Sequence, residues 1–97
     1  MHLIISPRAF RDIEEIRDYL HQRNPQAAKK AAELFEVAID RIMQFPEAGQ
    51  DQTDAGVKRV VERRFGYLIY YRYSESKSLI EIISIRHARR KPIFESS

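Results

Sequence analysis

Ninety-seven residues without a cysteine leave room for one domain with a modest core, and exclude a disulfide framework and a thiolate metal site. No run of about 18 apolar residues occurs, and Met1-His2-Leu3-Ile4-Ile5-Ser6-Pro7 is too short an apolar stretch for a secretory signal, so a soluble cytoplasmic protein without membrane contact is expected. The formal charge of +3 conceals a polarised chain: residues 57–91 hold ten Lys and Arg against three Asp and Glu, whereas residues 1–56 hold seven against ten. Such a distribution suits a polyanion or an acidic protein partner at the C-terminal end.

The β-branched run at about residues 2–5 predicts a first strand, closed by Ser6-Pro7 as N-cap and first helical residue. Phe10, Ile13, Ile16 and Leu20 then recur every three or four positions among charged residues, which predicts a helix over about 7–22. Asn24-Pro25 repeats the capping signal, and Ala28, Ala31, Phe35, Ala38, Ile39, Ile42 and Phe45 mark the inner face of a second helix over about 25–45. The two make an αα-hairpin. Pro46, Gly49, Asp51, Asp54 and Gly56 punctuate a polar loop. Beyond it, β-branched and aromatic residues predict strands at about 57–65, 67–73 and 79–87, followed by a basic tail over 88–97. The expected fold is α+β in the order β-α-α-β-β-β, a single domain with the αα-hairpin packed on one face of a small, mainly antiparallel sheet.

Chemical constellations are sparse. Gly49, Gly56 and Gly66 are too scattered for a phosphate-binding loop, so no cofactor or small-molecule substrate is implied, and His2, His21 and His87 lack metal-ligand spacing. Asp12, Glu14, Glu15 and Asp18 interleave with arginines as solvated helix-surface pairs do. His87 stands at a strand end among Arg86, Arg89 and Arg90, where neighbouring cations disfavour the protonated imidazole and a neutral ring could serve as a base. Arg86, His87, Arg89, Arg90 and Lys91 form the candidate surface for an anionic target. Arg63, Arg64 and Arg72, expected on two neighbouring strands, form a second basic set that could hold phosphates or pair with Glu62 and Glu81. In Tyr67–Tyr73, Tyr70 shares a sheet face with Leu68 and Arg72, while Tyr67, Tyr71 and Tyr73 share the other with Ile69.

The element order, the string Arg63-Arg64-Phe65-Gly66-Tyr67-Leu68-Ile69-Tyr70-Tyr71-Arg72 and the ending Ile82-Ile83-Ser84-Ile85-Arg86-His87-Ala88-Arg89-Arg90 resemble the RelE/ParE toxin superfamily, and the hydrophobic strand followed by His-x-x-Arg resembles its ParE branch. The resemblance implies the toxin of a bacterial type II toxin–antitoxin pair, held in a hetero-oligomeric complex by a cognate antitoxin that lies in the groove between hairpin and sheet. A ParE-like member poisons DNA gyrase by trapping the cleaved complex and is a binding protein, not an enzyme. A RelE-like member cuts mRNA on the ribosome; here His87, with Arg64 or Arg86 at the phosphate, would carry that role, since no tyrosine follows Tyr73. A third possibility is an inactive member that retains antitoxin binding alone.

Overall fold

Ser6 and Asn24 each set a side-chain oxygen over the first turn of a helix that begins with proline. Ser6 Oγ accepts the Ala9 N–H at 3.0 Å, and Asn24 Oδ1 accepts the N–H groups of Gln26 and Ala27 at 3.1 and 3.3 Å. In the computed structural model, which describes residues 1–89, the elements run β1 (His2–Ile5), α1 (Pro7–Arg23), α2 (Pro25–Gln44), β2 (Gln50–Asp51), β3 (Val57–Glu62), β4 (Tyr67–Ser74) and β5 (Leu79–His87). The two helices cover one face of a five-stranded sheet of order β1-β5-β4-β3-β2. β1 runs parallel to β5 and every other pairing is antiparallel. This is the α+β hairpin-on-sheet architecture expected from the sequence, with a two-residue β2 added at one edge.

The core lies between the helices and the inner sheet face. Tyr67, Ile69, Tyr71, Ile80 and Ile82 are fully buried there beneath Ala9, Ile16, Phe35 and Ile42, and burying one such aliphatic side chain contributes roughly 1.5–3 kcal/mol. Phe35 meets Tyr67 edge-on, with ring centroids 5.3 Å apart. The outer face carries Leu68, Tyr70 and Arg72, as the alternation in the tyrosine segment requires.

Three expectations need correction. Phe10 and Phe45, assigned to inner helix faces, are 58% and 59% exposed. Helix α1 instead packs through Ala9, Asp12 and Ile16, because the fully buried Ala9 lets the helix lie close to the sheet and turns Phe10 to its flank. Asp12 is accordingly a buried residue and not a solvated one, although it does pair with Arg8 at 3.3 Å. The strand expected over 57–65 stops at Glu62. There the buried Glu62 carboxylate accepts the N–H groups of Arg64 and Phe65 at 2.6 and 2.9 Å, and Gly66 takes φ +80°, a left-handed conformation open to glycine, so the chain reverses over residues 63–66.

The loop between α2 and β3 is anchored by Tyr71. Its hydroxyl donates to the Pro46 carbonyl at 2.8 Å and accepts the Gly49 N–H at 3.1 Å. A Cβ at position 49 would run into that hydroxyl, which accounts for the glycine. Burial raises the Tyr71 pKa above the ordinary tyrosine value.

Candidate functional site

Strand pairing brings the β3–β4 turn and the end of β5 to one end of the sheet. Tyr67 pairs with His87, and the Ala88 N–H donates to the Gly66 carbonyl at 2.8 Å. Arg63 and Arg64 from the turn therefore join Arg86, His87 and Arg89 at a single cationic end. Arg63, Arg64 and Arg89 are exposed, and among the described residues no carboxylate pairs with them. Arg90 and Lys91 fall outside the described residues.

Arg72 is separated from this group. It pairs with Val57 near the far end of β4, about 17 Å along the strand from the turn at roughly 3.4 Å per residue, and lies 3.7 Å from Glu81. The basic sheet set expected from Arg63, Arg64 and Arg72 thus does not converge. Glu62, expected as a surface partner of those arginines, is committed to the turn backbone. The outer face instead offers Arg59, which pairs across from Tyr70 and reaches Gln50 Oε1 at 2.8 Å.

Arg86 and His87 are consecutive, and the strand sends them to opposite faces. Arg86 pairs with Leu68 on the outer face, where its guanidinium carbon stands 5.5 Å from the Tyr70 ring centroid, within cation–π range. His87 lies on the inner face with its ring edge-on to Tyr67 at 5.2 Å. Its Nδ1 accepts the Arg89 N–H at 3.1 Å. A nuclease reading asks the imidazole to meet Arg64 or Arg86 at one phosphate, and the opposed directions of His87 and Arg86 disfavour the second of these pairings. Cations at a sheet end next to a glycine turn can instead clamp an anionic backbone.

A second feature is a groove of about 520 Å³ between the C-terminal half of α2 and β3. Leu34, Val37, Phe45, Val60 and Val61 form its apolar lining, and Arg41, Arg63 and Arg64 its basic rim. Val37, Phe45 and Val61 are 56%, 59% and 48% exposed. β2 pairs with β3 only at Lys58 and Arg59, which among the described residues leaves the edge beyond Arg59 without a strand partner beside the groove. Among the described residues no three His, Cys, Asp or Glu side chains gather as a metal ion would require, and no helix is long and apolar enough to cross a membrane.

Residues 3–92 match the family model described as the ParE toxin of the type II toxin–antitoxin system, parDE. The chain is 37% identical over 83 residues to Toxin RelE2 of Caulobacter vibrioides, covering 86% of this chain and 90% of that protein. It superposes on the chromosomal ParDE TA system from P. aeruginosa with a TM-score of 0.78 at 22% identity, over 90% of this chain and 95% of the other. The isolated E. coli RelE toxin gives a TM-score of 0.61 at 19% identity, over 96% and 89% of the two chains.

Proposed function

This chain belongs to the ParE toxin family of type II toxin–antitoxin systems, and from that premise we propose that it inhibits DNA gyrase by holding the enzyme on cleaved DNA. The contact surface is the cationic end, with Arg86 and Arg89, and with Arg90 and Lys91 beyond the described residues. The single observation that supports binding over cutting is the divergence of Arg86 and His87 to opposite sheet faces, which leaves Arg64 as the one arginine of that reading able to share a phosphate with His87. A toxin acting this way needs positive surface and shape, not a general base.

The neutralising partner in this reading is an antitoxin segment seated in the groove between α2 and β3. Exposed Val37, Phe45 and Val61 favour apolar side chains, the open β3 edge accepts main-chain hydrogen bonds, and Arg41, Arg63 and Arg64 favour acidic flanks. Such a segment would lie beside the cationic end and could mask it.

Purified protein incubated with gyrase, supercoiled plasmid and ATP is expected to accumulate linear DNA after detergent and protease treatment. Arg86→Glu with Arg89→Glu should remove that product from folded protein. Absence of linear DNA, together with mRNA cleavage on ribosomes that His87→Ala abolishes, would replace this reading with the RelE-like one.

A further inference from the structure

Strand β5 changes phase at Ile83. Ile80 and Ile82 face inward opposite Tyr73 and Tyr71, and Ile85 and His87 face inward opposite Ile69 and Tyr67, so one extra residue stands between Ile82 and Ser84. Uniform alternation would carry Ser84 and Arg86 into the core and turn Ile85 and His87 outward. The bulge therefore decides which face each side chain of residues 84–87 reaches.

A bulge leaves backbone groups without ladder partners. Here the shortage is greater, because the pairing of β1 with β5 ends at Ile5 and Ile82 and among the described residues no strand continues on that side. Two side chains, one at the β1–α1 junction and one within α1, take the place of the missing strand. Ser6 Oγ donates to the Ile83 carbonyl at 2.8 Å while it caps α1 through the Ala9 N–H. Asp12 Oδ2 accepts the Ile85 N–H at 2.9 Å, and its Oδ1 faces Arg8 Nε at 3.3 Å. Asp12 and Ser6 are each only 9% exposed. A carboxylate buried against a sheet loses hydration, and the charged hydrogen bond to Ile85 together with Arg8 offsets that loss.

We propose that Asp12, assisted by Ser6, is a positioning residue for the cationic end: it holds the Ile83 bulge and thereby sends Arg86 outward and His87 inward. Its functional weight rests on the gyrase reading above, whereas the clamp itself is measurable without gyrase. In Asp12→Ala, the Ile85 amide should exchange about tenfold faster with solvent, and the His87 ring protons should lose the ring-current displacement that the neighbouring Tyr67 ring causes. Linear-DNA formation should fall in parallel. Asp12→Asn retains an acceptor for Ile85 and should keep the His87 resonances in place. Deleting Ile83 from Asp12→Ala restores unbroken alternation with Ile85 and His87 inward, and should return both the His87 signature and activity, which a merely stabilising role would not produce.

An Asp12→Ala protein with unchanged Ile85 protection and unchanged His87 resonances would overturn the clamp whatever gyrase does. Lost His87 signature with undiminished gyrase poisoning would leave the clamp standing and overturn the cationic end as effector surface. Should the alanine variant not fold, Asp12→Asn decides: displaced His87 resonances there would sink the proposal.

Discussion

The two ends of the sheet carry similar numbers of cations and differ in where the carboxylates point. At the β4–β5 end, Arg72 lies 3.7 Å from Glu81 and Lys58 2.6 Å from Asp51, and the turn over 75–78 alternates Glu75 and Lys77 with serines. At the opposite end, Glu62 accepts two backbone N–H groups of the β3–β4 turn and Asp12 accepts one from β5. Acids are present at both ends, but at the cationic end they hold the backbone and leave Arg63, Arg64 and Arg89 to solvent. A net positive surface can thus arise from the way acids are engaged as much as from an excess of bases.

Charge reversal breaks this contrast most severely. Arg86→Glu with Arg89→Glu should lower gyrase trapping by at least ~100-fold, while Arg72→Glu with Lys77→Glu should change it by less than ~2-fold, both measured as linear plasmid at matched protein concentration. Next in size, Glu62→Ala should cost about 2–3 kcal/mol in urea unfolding, because two partly buried backbone N–H groups lose a charged acceptor. Tyr71→Phe should cost about 1 kcal/mol through loss of the contacts to Pro46 and Gly49. The same residue predicts a pH effect. With its folded pKa raised by burial, the proton on Tyr71 is held more tightly in the folded state, so its contribution is complete below the ordinary tyrosine pKa and declines as pH rises through the raised value. Wild type should therefore lose stability in alkali more steeply than Tyr71→Phe, as read from unfolding midpoints across pH. The smallest effect is expected at the balanced end, where Arg72→Ala should change stability by less than about 0.5 kcal/mol, since its partner Glu81 is a surface residue.

The element order and the tyrosine alternation were legible because both rest on local periodicity. Ser6-Pro7 and Asn24-Pro25 marked the helix starts for the same reason, a cap and a preset φ acting within three residues. Asp12 was misassigned because a carboxylate four residues after an arginine on a charged helix has the local signature of a surface pair, and the N–H it accepts lies 73 residues away. Glu62 had a closer signal. An acid just before a basic, glycine-containing turn can fold back onto that turn, and the β-rich run over 57–65 hid it. The bulge also left a trace, since the apolar pattern slips from Ile80 and Ile82 to Ile85, but a run of isoleucines on both parities obscures which phase is inward.

By itself, then, the sequence determined the layers of the fold, the polarity of charge along the chain and the family. The first two follow from composition and short-range spacing, and the family from the resemblance carried by the strings over Arg63–Arg72 and Ile82–Arg90. Only the tertiary structure decided that Arg63 and Arg64 join Arg86 and Arg89, that Arg72 does not, and that Arg86 takes the outer face and His87 the inner one. Those outcomes depend on strand register, and register here is set by a turn carboxylate and a one-residue bulge that buried side chains from the far end of the chain hold in place.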